Sequence, residues 1–195
     1  MEDFSIAYYE RMSNDTFQTI YLRDIARTYR NYKTLGERAI AQVSDDDLLT
    51  RLDDESNSIA TIVKHLAGNL RSRFTDYLTS DGEKPTRNRD AEFEMPDPAS
   101  RDQIVEWWDS SWEIALASID ALTPADLERT VHIREEAFVV VESLDRLATH
   151  AAYHVGQIVF LAKHFAGSRW TSLSIPRNRS AAARGEFKKG IIPGS

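Results

Sequence analysis

Apolar residues recur at intervals of three and four along four stretches of this chain, the signature of helices that each bury one face. The first stretch covers residues 15–43. Asn14 or Asp15 can cap it, and Ile25, Tyr29, Tyr32, Leu35 and Ala39 form its stripe. The second starts at Ser56 or Ser58, continues to residue 78, and aligns Ile59, Ile62, Val63, Leu66, Leu70 and Phe74. Ser80-Asp81-Gly82 then supplies turn chemistry. A third follows Ser100, with Gln103 completing a capping box, and carries Ile104, Trp107, Trp108, Trp112, Leu116 and Ile119. The fourth covers residues 142–165, with Leu144, Leu147, Ala151, Val155, Ile158 and Ala162 on one side, and stops at Ala166-Gly167.

The segments between are less regular. Asp45-Asp46-Asp47 reads as a solvated connection with some helix N-terminal character. Residues 81–99 form a charged, proline-containing excursion, too long for an ordinary bundle loop and expected to drape over one end or side. Thr123-Pro124 starts a short helical turn. The β-prone residues 131–141 read as an irregular or extended lead-in to the fourth helix. Four helices with a long crossover between the second and third predict an all-α four-helix bundle. We read residues 1–195 as a single domain, with a core over about 15–176 and a C-terminal tail over 177–195.

Composition narrows the function. The 195 residues carry a formal net charge of −7. Such a chain gains nothing from counterion release, so no nucleic-acid partner is expected. There is no cysteine, which excludes disulfides, zinc–thiolate sites and a cysteine nucleophile. The Met-Glu-Asp-Phe start lacks the features of a signal peptide, and no apolar run approaches membrane-spanning length. The expectation is a cytoplasmic protein with no membrane partner.

Candidate chemistry lies in the histidines. His150 and His154, four residues apart, share one helix face with Cβ atoms about 5–6 Å apart, a spacing that suits two imidazoles on one ion. On the helical wheel both flank the apolar stripe of the fourth helix, and His65 flanks that of the second. Edge positions let ligands bridge two helices while leaving a face open to a cleft. His132 and His164 fall outside this pattern. Three imidazoles suit a divalent transition metal: zinc, nickel, iron, manganese or cobalt, with copper(II) also compatible with nitrogen ligands. Three protein ligands leave a position for water or substrate. Ala151 follows His150, so the glutamate of the HExxH zinc proteases is missing.

Two runs make the pattern familiar. Ile62-Val63-Lys64-His65-Leu66-Ala67-Gly68-Asn69 and His150-Ala151-Ala152-Tyr153-His154-Val155-Gly156-Gln157-Ile158 resemble the DinB-like (YfiT-type) superfamily, over roughly residues 17–176. The stretches 80–85, 89–93 and 173–176 are similar to a less characterised branch of it. The resemblance implies an up-down-down-up bundle, a metal held by His65, His150 and His154, and frequent homodimers. It also implies thiol-dependent chemistry: transfer of bacillithiol, mycothiol or glutathione to electrophiles, or isomerisation with a thiol cofactor.

Three functions compete at this stage. The first is a metal-dependent transferase that activates an external low-molecular-weight thiol against a small-molecule substrate. The second is a non-catalytic metal-binding stress or interaction protein, and the third a metal-dependent hydrolase. Asn69, Gln157 and Tyr153 are candidates for hydrogen bonds to substrate or metal-bound water, Tyr153 alternatively for packing, and Arg146, one turn before His150, for meeting a carboxylate of the thiol cofactor. Arg71, Arg73, Lys84, Arg87 and Arg89 could attract an acidic thiol, but the preferred reading is a solvated basic loop. An open cleft with basic residues at its mouth favours transfer, and a closed site favours the structural role. Homodimerisation is further expected from the aromatic excess of Trp107, Trp108, Trp112, Tyr29, Tyr32 and Phe74.

Overall fold

The computed structural model describes residues 15–96 and 99–179. Its elements are α1 (Phe17–Ile40), a short α2 (Asp45–Leu49), α3 (Ile59–Phe74), α4 (Arg101–Asp120), β1 (Thr130–Ile133), β2 (Glu136–Val139) and α5 (Val140–Ala166). Each long helix begins where a hydroxyl or backbone turn permits it. Thr16, Ser58 and Ser100 accept the backbone N–H three residues on, each satisfying a donor that the first turn leaves free. Thr16 takes the capping role expected of Asn14 or Asp15. Asn14 lies outside the described residues. The three aspartates at 45–47 form the first turn of α2, and Ser44 and Asp47 close a reciprocal capping box. The aspartates lie toward solvent and carry the helix N-terminal character expected of this connection, which extends here to a short helix. α3 ends at Phe74, the last residue of its stripe and short of the expected residue 78, because residues 75–79 turn, with Asp76 at φ 50°. Gly167, at φ 55°, closes α5.

Contacts between helices set their directions. Tyr21 donates to the Val141 carbonyl and Asp145, Tyr29 donates to the Leu144 carbonyl, and Gln42 meets Thr171, so α1 and α5 run parallel. Lys33 pairs with Asp109, and Arg101 donates to the carbonyls of Ile40 and Val43, so α4 runs against α1. Lys64 sits over Trp107 and Arg71 meets Ser110, so α3 and α4 are parallel to each other. The bundle is therefore up-down-down-up. Parallel neighbours need a return path along the bundle, which accounts for the long crossover after α3.

The stripe of α5 is buried throughout: Leu144, Leu147, Ala151, Val155, Ile158 and Ala162 are at most 4% exposed. Tyr29, Phe74, Trp108 and Trp112 are fully buried and pack edge-on or tilted against one another. Trp107 and Tyr32 lie partly buried against the same core. The bundle thus accommodates the aromatic excess that motivated a homodimer, and that motive falls away. No helix among the described residues is long and apolar enough to cross a membrane.

The crossover contains no α-helix among its described residues, only a 3-10 turn at Asp90–Phe93 lying on α3. Of the irregular or extended lead-in expected here the extended form holds, and residues 130–139 pair as an antiparallel hairpin, with Thr130 opposite Val139 and Ile133 opposite Glu136. Its two-residue turn places Arg134 at φ 56° and Glu135 at φ 65°, a left-handed pair normally left to Gly or Asn. Asp81 of the crossover accepts both turn N–H groups, at 2.9 and 2.8 Å. Gly82 N–H meanwhile donates to the His132 carbonyl. Asp81→Ala should therefore destabilise the fold by about 2 kcal/mol, from two lost charge-assisted bonds and a strained turn left unsupported. Urea unfolding followed by circular dichroism checks this, with native helix content retained.

Candidate metal centre

α3 supplies His65 and α5 supplies His150 and His154. One ligand nitrogen from each lies within 4.8 Å of the others. The two α5 rings converge through their Nε2 atoms, 3.1 Å apart. Two nitrogens each ~2.0–2.1 Å from one tetrahedral ion would stand about 3.3–3.4 Å apart, so the separation fits a shared ion. His65 is 5% exposed, and the α5 pair is half-buried. The histidines thus sit at the edge of the core, as the wheel positions required.

The other ring nitrogens decide whether the lone pairs face inward. His65 Nδ1 lies 2.9 Å from Glu92 Oε2, and His154 Nδ1 lies 2.9 Å from Gln157 Oε1. Both partners are acceptors, so each ring carries its proton on Nδ1 and presents Nε2 as a ligand. Gln157 was among the expected contacts; Glu92 was not. The buried Nδ1 of His150 has no hydrogen-bond partner among the described residues.

Glu92 reaches this position from the 3-10 turn of the crossover. It is buried, and Arg87 grips it with two prongs, Nε to Oε1 at 2.8 Å and Nη2 to Oε2 at 3.0 Å. Burial opposes its charge, but the contacts from His65 and Arg87 outweigh that and hold its carboxyl below the ordinary value. Gly68 makes room for it, because a Cβ there would lie 2.3 Å from Glu92 Oε1. His65 also stacks on Phe93, with centroids 4.8 Å apart. The residues Arg-Asp-Ala-Glu-Phe at 89–93 marked only a resemblance in the sequence, yet they hold one ligand in place.

Two of the three histidines, His65 and His150, line a cleft of about 600 Å³ to which Asn69 and Tyr153 also contribute. Asn69 is buried. Tyr153 is 63% exposed, with its ring centroid 5.0 Å from that of His154. Arg73, Arg87, Arg89, Arg134 and Arg146 also face the cleft, against a single lining carboxylate, Glu136. The expectation of a solvated basic loop fails for Arg73 and Arg87. Both guanidinium groups are buried, because Glu83 and Glu92 draw them onto α3. His132 and His164 are exposed and stand apart from the cluster.

Burial first, and then the neighbouring His154 and His65, together lower the His150 pKa from 6.5 to about 4. Burial also lowers that of His154. The unfolded chain therefore takes up a proton at His150 before the folded one does. In metal-free protein this contribution to stability is full above about pH 6.5 and is lost as pH falls toward 4. Thermal unfolding should show the loss, and His150→Gln should flatten the slope between those pH values. Glu92→Gln should weaken metal affinity about 10–100-fold. Gly68→Ala should reproduce much of that loss without altering a ligand. Competitive chelator titration checks both.

Residues 16–179 match the family described as "Protein of unknown function (DUF1572)". No curated protein matches the chain.

Proposed function

The chain belongs to the DUF1572 family, and we propose that it is a DinB-like metal-dependent transferase that joins an external low-molecular-weight thiol to a small electrophilic substrate. The observation that carries this reading is that His65 and His150 of the clustered triad line a roomy, basic cleft rather than a sealed core. His65, His150 and His154 would hold a divalent transition metal through Nε2. When bound, it supplies Lewis acidity that favours thiolate over thiol at neutral pH. The sulfur must come from outside, since the chain has no cysteine. In the net reaction the thiol S–H and the bond to the leaving group break, a carbon–sulfur bond forms, and the proton departs with the leaving group.

The protein's own part is positional. Glu92 and Gln157 fix two ligand rings, so that their lone pairs point to one place before any substrate arrives. Asn69 and the exposed Tyr153 offer an amide and a phenol at the cleft wall for hydrogen bonds to the electrophile. The hydrolase alternative fits less well. Glu92, the carboxylate in contact with the triad, is committed to His65 and Arg87 and is not free to activate water.

Two measurements test the reading. Metal content should be near one ion per chain in native protein and should collapse in the triple His→Ala variant. Metal-loaded protein incubated with a thiol and a panel of electrophiles should consume the thiol, and metal-free protein should not. Equal metal content in the two proteins would remove the centre. A loaded protein that hydrolyses esters and leaves thiols untouched would decide for the hydrolase.

A further inference from the structure

The five arginines of the cleft fall into two groups. Arg73 donates to Glu83 and to the Gly82 carbonyl, Arg87 to Glu92 and Glu83, and Arg134 to Glu83. Their charge is largely answered from within the fold. Arg89 and Arg146 are both exposed, and among the described residues neither has a carboxylate within ion-pair distance. Each lies instead on an aromatic face. The Arg89 guanidinium is 5.0 Å from the centroid of Phe93, and that of Arg146 is 5.4 Å from the centroid of Phe138.

A guanidinium stacked on a ring is held in place through its face, while its N–H edge stays available for in-plane hydrogen bonds. Phe93 stacks in turn on His65, which sets Arg89 in register with a ligand ring. Arg146 stands on α5 one turn before His150. Two pre-oriented forks thus face the same cleft as the triad, each tied to a different ligand helix.

We propose that Arg89 and Arg146 form a carboxylate-binding subsite, and that the small molecule brought to the triad is therefore anionic. This rests on the thiol reading above and gives its substrate class: a thiol that carries one or more carboxylates. A neutral thiol gains nothing from these two side chains. A carboxylate gains charge-assisted, two-pronged bonds from donors that folding has already ordered. The cleft is thus a cationic pocket on a chain whose net charge is −7.

The test uses two thiols of opposite character on cobalt(II)-loaded protein. Thiolate-to-cobalt absorption reports the binding of mercaptosuccinate and of 2-mercaptoethanol. Calorimetry on zinc-loaded protein follows succinate and inorganic phosphate in parallel. Mercaptosuccinate should bind about 10-fold or more tightly than 2-mercaptoethanol. Arg89→Gln and Arg146→Gln should each narrow that gap, and the double variant should close it while metal content stays as in the wild type. Succinate should bind the wild type and not the double variant. A preference for mercaptosuccinate that survives in the double variant overturns the subsite, as it would then come from the metal charge or the other arginines. Phosphate binding more tightly than succinate through the same two arginines overturns carboxylate as the ligand class. If neither thiol gives the absorption band while succinate still requires both arginines, the thiol reading falls and the subsite stands.

Discussion

The contact between the His65 ring and the Glu92 carboxylate joins parts of the chain that no local rule brings together. α3 and α4 are parallel, so the connection between them must travel back along the bundle. On its way it lays a 3-10 turn across Gly68, the one side-chain-free position that lets a carboxylate approach α3 closely. The connection demanded by topology thus delivers the group that orients a ligand. Because the carboxylate is buried, its two partners are not optional. Removing Arg87 would leave an uncompensated charge, a loss of about 3–5 kcal/mol where such pairs have been broken elsewhere, and removing His65 would leave one carboxylate oxygen without that donor.

From Glu92 the same logic spreads outward. Arg87 links Glu92 to Glu83, and Glu83 also takes Arg73 from α3 and Arg134 from the hairpin. Burial works against the Glu83 charge, but the arginines around it hold its carboxyl below the usual value. Crossover, helix and hairpin are cross-linked by ion pairs at the cleft wall, where solvent screening is weaker than on open surface. Asp81 completes the link by accepting the two N–H groups of the hairpin turn. The shape of the cleft is therefore set by segments without long secondary structure, fastened to α3 by charge.

This explains what was legible in the sequence. Helix positions and caps follow from short-range rules, so Ser58, Ser100 and the α5 stripe could be read directly. The clustering of His150 with His154 could be read because a spacing of four residues fixes their geometry on one helix, and that of His65 from its place on a wheel and the resemblance of its surroundings. Glu92 could not be read, since it stands 27 residues from its partner and the path of the crossover alone brings them together. Arg73 and Arg87 looked solvated because their charge is visible in a sequence window while their distant partners are not. The hairpin was obscured for a similar reason. Its turn is Arg-Glu, without the Gly or Asn that marks a left-handed pair, and the carboxylate that compensates lies some fifty residues earlier.

The remaining question is why a histidine triad able to hold a metal should sit at a helix edge rather than in the core. Both α5 ligands lie beside the buried stripe, not in it, so the core closes over Ala151, Val155 and Ile158 regardless of what the histidines hold. The register of α3 against α5 is set by that apolar packing. A slip of one turn would move a ligand by about 5.4 Å and disperse the cluster. The order required for three convergent nitrogens is thus supplied by hydrophobic burial elsewhere in the bundle, and little reorganisation remains when an ion or a substrate arrives. A site in the core would have been held as firmly, but closed. At the edge the same rigidity coexists with an opening, and the charged loops are left to determine what enters.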